Sequence, residues 1–355
     1  MSEFILSGTA WFDGLPEPVL WVSGGRTAYL NSAARQMRPA LGAVEGECAP
    51  AWLAELAEDS ATTLELDDRM WLARTQSVQP EGILCQLIPL GEERLLSYDR
   101  VGQIAGQMRL PLGNLIAATQ LLERAGTTAA PEKLTQYQAI QRKNYHAMLR
   151  VLDNLDFLSS TQRLNKAELL PLDFGQLCSD VIACAAPLAE RSGCTLNLCR
   201  SGEPLPVRGN APLLRKMLLH LVSNELRAAG QGGTVTFALT RRGNRAKLTI
   251  RDDGAGFAPR QLPEIFSMTA SADPDGLERG SGVGLNICRM IVQRHGGCLA
   301  LLTGTGRERV VVELPLTDDT SGGALHSRVD YDGGLEETLL QLSDVLDWNC
   351  FLEDE

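Results

Sequence analysis

The chain has 355 residues, 44% of them hydrophobic, and a formal net charge of -11. That length allows two or three domains with sizeable cores, and the acidic balance excludes a general nucleic-acid binder, which would present a basic face. No run approaches the ~20 apolar residues of a membrane helix, and the opening MSEFILSG has neither a basic n-region nor a long apolar h-region, so the expectation is a cytoplasmic protein without membrane insertion.

The nine cysteines are odd in number, irregularly spaced and include no CxxC pair. Buried thiols in a reducing compartment are expected, rather than a zinc site or a disulfide framework. The histidines His146, His220, His295 and His326 form no HxxxH or HExxH pair, so no metal centre is expected from them.

Residues 1–95 are expected to form a small α/β module. In "PVLWVSGGRTAYLN" a strand, a Gly-Gly turn and a second strand follow one another. Helical material is predicted from Ser32 to about Glu58, then three strands in "TTLELDD", "MWLARTQSV" and "GILCQLIPL". This succession, and the segment "LPEPVLWVSGGRTAYLNSAAR", resembles a PAS domain. No Cys or His stands out as a flavin or haem attachment point, and a small-molecule sensor and a ligand-free dimerisation module are both compatible with the pattern.

Residues 96–166 carry helical spacing: Ile104, Met108, Leu112, Leu115, Thr119 and Leu122, then Leu134, Tyr137, Ile140, Met148, Val151, Leu155 and Leu158. Gly126 to Pro131 breaks the run. Two such helices form an antiparallel hairpin that cannot bury both apolar stripes by itself. A second copy would complete a four-helix bundle, so a homodimer through residues 97–165 is expected.

Residues 170–318 are predicted to be one α/β domain, with helices near 173–191, 211–229 and 283–295 and strands "TLNLC", "TVTFALT", "AKLTIRD", "CLALLT" and "RVVVELPL". Residues 319–355 form a polar, acidic tail with one amphipathic helix, in which Leu335, Leu339, Leu342 and Leu346 make a stripe suited to packing on the chain's own α/β domain or on a partner. The fold class as a whole is α+β multidomain.

Three pieces of the α/β domain carry chemistry. "LLHLVSNELRAA" is helical, with His220 and Asn224 one turn apart on one side. "LTIRDDGAGF" is a strand ending in Asp252, followed by Gly254 and Gly256. "RGSGVGLNICRMIVQRHGG" brings Gly280, Gly282 and Gly284 directly into a helix that begins near Leu285. A carboxylate at a strand end can accept a hydrogen bond from an adenine amino group, and adjacent glycines let backbone approach a flat base. A glycine loop before a helix N-terminus offers amide donors to phosphates. An Asn carbonyl is a hard oxygen ligand for Mg²⁺.

Together these pieces resemble the GHKL (Bergerat) ATPase fold of histidine kinases, from Phe174 to Leu316. "HLVSNELRAA" resembles the N box, "DDGAGF" the G1 box, "GSGVGL" the G2 box, and "EIFSM" around Phe266 the F box. The resemblance implies an α/β sandwich holding ATP under a mobile lid at about residues 267–281. It assigns Asp252 to adenine, Asn224 to Mg²⁺, and Gly282 and Gly284 to the borders of the phosphates; Gly254, Gly256, Phe266, Gly280 and Leu285 complete the ATP-binding set. Departures are His220 where the family often has Asn, Thr269 at the second F-box aromatic, and Asn210 where Asp is frequent.

In the same family the preceding hairpin carries a phosphoacceptor motif: His, an acidic residue, any, Arg, any, Pro, Leu. The stretch "GQMRLPL" keeps Arg109, Pro111 and Leu112 in register, but Gly106 replaces the histidine and Gln107 the acidic neighbour. Phosphoryl transfer to a side chain needs a nucleophile, which glycine lacks, and glutamine cannot take a proton near neutral pH. His146, off the apolar stripe of the second helix, is expected at the surface within about one turn, or ~6 Å, of the level of Gly106.

Four functions fit: a degenerate histidine kinase that binds Mg-ATP and regulates two-component signalling through a response regulator or an intact histidine kinase; an active kinase using His146 or a partner chain's histidine; a GHKL ATPase with His220 as base; and a non-enzymatic scaffold with vestigial ATP binding. Whether the chain is an enzyme is left open by the missing acceptor.

Overall fold

The computed structural model describes residues 12–13, 15–54, 60–66, 69–78, 82–89, 98–125, 130–159, 168–254, 283–302, 308–318, 330–331 and 335–352. The N-terminal strands are β1 (Val19–Ser23), β2 (Arg26–Leu30), β3 (Ser60–Leu66), β4 (Arg69–Val78) and β5 (Gly82–Pro89). They pair antiparallel in the order β2-β1-β5-β4-β3. Gly24 and Gly25 have φ of 58° and 72°, the left-handed conformation that only glycine adopts without strain, and they turn β1 directly into β2. Leu20, Leu30, Leu72 and Leu87 are fully buried against this sheet.

The helical material expected after β2 consists of three short helices, Ser32–Gln36, Arg38–Leu41 and Ala51–Ala54, and residues 55–59 lie outside the described set. The breaks between them have a backbone cause. Gly42 and Gly46 sit at φ of 61° and 86°, and the chain between them returns to β2, where Gly46 N–H donates to Thr27 O at 2.8 Å and Thr27 N–H to Glu47 O at 2.9 Å.

Asn31 fastens this module. Fully buried, it accepts at Oδ1 from the Val19 and Ala34 amides, both at 2.9 Å. It donates from Nδ2 to the Phe12 and Glu17 carbonyls at 3.0 and 2.8 Å. One amide side chain thereby satisfies a strand start, a helix N-terminus and the entering chain.

The hairpin consists of α1 (Tyr98–Ala125) and α2 (Pro131–Ser159). Pro111 lies inside α1 and is buried. Ala118 of α1 is buried, and between the helices Gln141 Nε2 donates to Thr119 Oγ1 at 2.9 Å. Leu110, Leu112 and Ile116 on α1 and Tyr145 and Leu152 on α2 stay exposed.

The third unit places α3 (Phe174–Arg191), α4 (Ala211–Ala229) and α5 (Val283–Arg294) over the strands β7 (Thr195–Arg200), β9 (Thr234–Arg242), β10 (Arg245–Asp252), β11 (Cys298–Leu302) and β12 (Glu308–Pro315). The order is β11-β12-β10-β9-β7, antiparallel except for the parallel β7–β9 pair. Phe174, Phe237, Leu218, Ile250, Ile287 and Val312 are buried in its core. Two further strands, β6 (Leu170–Asp173) and β8 (Pro206–Gly209), pair with each other; at four residues each, with a proline in both, they give no periodic signal. Sequence reasoning also missed the antiparallel pairing of β3 with β11, Ala300 opposite Thr62 and Leu302 opposite Ser60, which makes the two sheets one of ten strands.

Asn210, the departure from the more frequent Asp, has a structural role: its side chain caps α4 by accepting from the Leu213 amide at 3.1 Å. Its own N–H donates to His295 Nε2 at 3.0 Å, while His295 Nδ1 lies 2.6 Å from Ile291 O. His295 is therefore the neutral tautomer with its proton on Nδ1. Burial pushes its pKa below the usual histidine range.

The acidic tail folds back on the chain. It forms the β13–β14 pair (Asp330–Tyr331 with Leu335–Glu336), α6 (Glu337–Leu342) and a 3₁₀ turn at Trp348–Phe351. Leu342, Leu346, Cys350 and Phe351 join the core of the third unit, with Leu339 partly buried beside them.

Two predictions arise here. Asn31→Asp removes both Nδ2 donations and sets a carboxylate against two carbonyls; the N-terminal module is expected to lose about 2–3 kcal/mol, read as an earlier urea transition. The depressed pKa of His295 gives stability that is fully present above the unfolded value of about 6.5 and is lost as pH falls below it, by up to about 1.4 kcal/mol per pH unit. Urea midpoints between pH 8 and 5 are expected to fall less steeply for His295→Gln than for the wild type.

Candidate nucleotide site

The helix α4 is the spine of the site. Its hydrophobic positions Leu214, Met217, Leu218, Leu221 and Val222 are buried against the sheet and α5. The 3.6-residue period then carries His220 and Asn224 along a single stripe. The start of α5 meets that stripe: a Cβ built on Gly284 would lie 3.3 Å from His220 Nδ1 and 3.8 Å from Asn224 Oδ1. Glycine at 284 lets the first turn of α5, with its unpaired amides, come this close.

The end of β10 meets the other end of α4. Asp252 is buried, and its Oδ1 accepts from the Gly254 amide at 2.7 Å. A Cβ on Gly254 would collide with the Ala228 carbonyl and lie 2.7 Å from Asp252 Oδ1. Asp253 turns outward and accepts from the Thr234 amide at 2.9 Å, fixing the turn. Asp252, Gly254, Asn224, His220, Gly284 and buried Leu285 are thus brought together around one helix. Gly256, Phe266, Gly280 and Gly282, the F-box segment and the lid at 267–281 lie outside the described residues.

His220 is fully buried, and among the described residues neither ring nitrogen has a hydrogen-bond partner. Burial first, then the cations Arg150, Lys216 and Arg227, hold its pKa well below the ordinary histidine value, so the ring is neutral at pH 7. Asn286 on α5 is equally buried with both amide atoms unpartnered among the described residues. Buried polar atoms without protein partners are expensive, and their concentration on the two helices that meet at Gly284 fits a site completed by a polar ligand such as a phosphate-bearing nucleotide. Among the described residues no group of three His, Cys, Asp or Glu is placed to hold a metal ion.

In the hairpin, Gly106 is an exposed helical residue, and a Cβ there would meet nothing within 4 Å. Gln107 is half-buried, Arg109 exposed and Pro111 buried. His146 is not at the surface as expected. It is only 8% exposed, its Nδ1 lies 2.7 Å from Arg142 O, and its ring packs 5.2 Å from that of Phe351. The C-terminal turn covers it, a contact more than 200 positions distant that helix spacing cannot foresee.

Residues 209–318 match the family described as histidine kinase-, DNA gyrase B- and HSP90-like ATPase. The chain is 29% identical over 258 residues to the sensor histidine kinase CpxA of Escherichia coli (strain K12), covering 71% of this chain and 53% of that protein. It is 26% identical over 216 residues to the sensor histidine kinase RppB of Synechocystis sp., covering 60% and 47%. The chain thus spans about half the length of these curated relatives. Among solved structures, the histidine kinase ThkA in its complex with the response regulator protein TrrA superimposes with a TM-score of 0.50 at 15% identity, covering 87% of this chain and 98% of that one, a likeness of fold. No described helix is long and apolar enough to cross a membrane.

Gly254→Ala is expected to lower the melting temperature of the third unit, at a cost of about 1–3 kcal/mol from the collision with Ala228, and to abolish nucleotide binding in a fluorescent-nucleotide titration.

Proposed function

From the premise that the chain is a histidine kinase family protein with a GHKL-type ATPase domain, we propose that it binds Mg-ATP but does not phosphorylate its own hairpin motif, and regulates two-component signalling as a degenerate kinase. The observation that carries this reading is the contrast between two glycine positions. Gly254 and Gly284 stand where a Cβ would collide with or crowd the ATP-site helix, whereas Gly106 stands in open space. The first two are favoured by close packing against the helix that would bear the nucleotide site; the third is not required by packing, and leaves the motif without its nucleophile.

In this reading Asp252 accepts from the adenine amino group, Asn224 offers its Oδ1 to Mg²⁺, and the α5 N-terminus at Gly284 faces the phosphates. Bound ATP supplies a phosphoryl group. Neutral His220, packed beside Gly284, holds a proton acceptor next to them; if the domain acts as an ATPase, this is its base. The PAS-like reading of the N-terminal module is supported by its strand order and its helical interlude between β2 and β3. The exposed Leu110, Leu112, Ile116, Tyr145 and Leu152 support a homodimer in which a second hairpin covers them. A response regulator or an intact histidine kinase is the partner class that suits such a protein. His146 as displaced acceptor is the weaker alternative, since Phe351 covers it.

Incubation of the purified chain with γ-labelled Mg-ATP, with Asp252→Ala as control, is expected to show nucleotide binding lost in the control and no label on the wild type. The double substitution Gly106→His with Gln107→Glu is expected to create acid-labile, alkali-stable label. Label on the wild type that disappears in His146→Ala would overturn the degenerate reading, and absence of ATP binding would overturn the nucleotide site.

A further inference from the structure

We propose that residues 335–352 are a releasable strap that fastens the second hairpin helix to the ATPase domain and holds the two in one relative position. The strap meets α2 along a single stripe. Arg142, His146, Arg150 and Asp153 follow at intervals of four, four and three, so they share one helix face, and each touches the strap. Arg142 Nη1 donates to Phe351 O at 3.2 Å. The His146 ring packs on the Phe351 ring. Arg150 pairs with Asp344, and Asp153 accepts from Gln341 Nε2 at 2.7 Å.

The same strap residues hold the ATPase domain. Asp344 also pairs with Arg227, and accepts from Ser223 Oγ at 3.0 Å, while Arg150 Nη2 donates to Ser223 Oγ at 3.3 Å. Asp344 therefore sits between one arginine from the hairpin and one from α4, and the Ser223 hydroxyl touches both Asp344 and Arg150. One turn along, Lys216 of α4 pairs with the Asp153 carboxylate that Gln341 reaches. Farther on, Asn349 Nδ2 donates to Arg191 O at 3.1 Å and the Asp347 amide to Ser192 Oγ at 2.9 Å, both at the end of α3.

The contacts of the strap differ in kind. Leu342, Leu346, Cys350 and Phe351 are buried in a continuous apolar core made mostly of ATPase-domain residues, which also takes in Ala139 and Leu158 of α2, a contact that is non-directional and scales with area. Besides the Phe351–His146 ring contact, its grip on the hairpin runs through ion pairs and hydrogen bonds on partly buried groups; the Arg150 and Asp344 side chains are 13% and 23% exposed. Such contacts fail when one charge is removed, because the partner is left desolvated. The strap is thus built to stay on the ATPase domain and let go of α2, and letting go uncovers His146. Because Ser223 and Arg227 are on the same helix as His220 and Asn224, the strap joins the hairpin to the helix that bears the proposed nucleotide site. The strap itself does not depend on that reading.

The test uses the full chain without nucleotide, so its outcome is separate from that of the kinase reading. Reaction of histidines with diethyl pyrocarbonate, mapped by mass spectrometry, is compared in the wild type, Asp344→Asn and Phe351→Ala, with His220 and His295 as internal reporters of the ATPase domain fold. Asp344→Asn keeps the shape of the side chain and removes its charge. Modification of His146 is expected to accelerate about tenfold in Asp344→Asn and at least as much in Phe351→Ala, with His220 and His295 unchanged. An unchanged His146 rate in Asp344→Asn would overturn the proposal. So would a parallel rise at His220 and His295, which would make the segment a fixed part of the domain fold and not a strap.

Discussion

The hairpin, the tail and the α/β unit meet on the surface of one helix, Ala211–Ala229. Its apolar face is committed to the sheet and to α5. Neighbouring backbone approaches it closely at two glycines: a Cβ on Gly254 would collide with the Ala228 carbonyl, and one on Gly284 would crowd the His220 ring. Its remaining polar face meets the hairpin and the tail through Lys216, Ser223 and Arg227. A helix packed on every side can carry polar groups only where something satisfies them, and the ring of buried His220 has no hydrogen-bond partner among the described residues.

The hairpin follows a related logic with a different balance. One stripe of α2 is polar yet largely enclosed, and its charges are matched residue by residue by the ATPase domain and the tail. Other positions, Tyr145 and Leu152 among them, are apolar yet open. The two surfaces differ in kind: charged contacts that specify position, and apolar area left open on the hairpin. Gly106 lies where an added Cβ would meet nothing within 4 Å, so the packing of the hairpin does not depend on which residue stands there.

Much of this was legible beforehand where the information is local. The helices at 174–191, 211–229 and 283–294 were readable from their apolar period, and five strands of the ATPase domain from their β-branched runs. The placement of Asp252 at a strand end, Gly254 in the turn after it, Asn224 on a helix and Gly284 at a helix start was legible because the chain itself announces these elements. The helical material expected after Ser32 is present as three short helices, and where it breaks was not legible, because Gly42 and Gly46 turn the chain back to pair with Thr27. The surface position expected for His146 failed because helix spacing describes one helix and its own hairpin partner, whereas Phe351 arrives from the far end of the chain.

The sequence by itself determined which backbone positions had to be glycine, which helix bore the polar pair His220 and Asn224, and that the hairpin motif lacked a nucleophile. These are properties of residue type at a given position in an element, and neighbours a few residues away decide them. Only the tertiary structure decided that β3 and β11 form one sheet, that His220 is sealed and neutral, and that the acidic tail holds the hairpin to the ATPase domain through Asp344. Each of these depends on burial or on a charge brought into place from elsewhere. Desolvation and Coulomb energy depend on distance in space rather than along the chain, and no spacing rule encodes that distance.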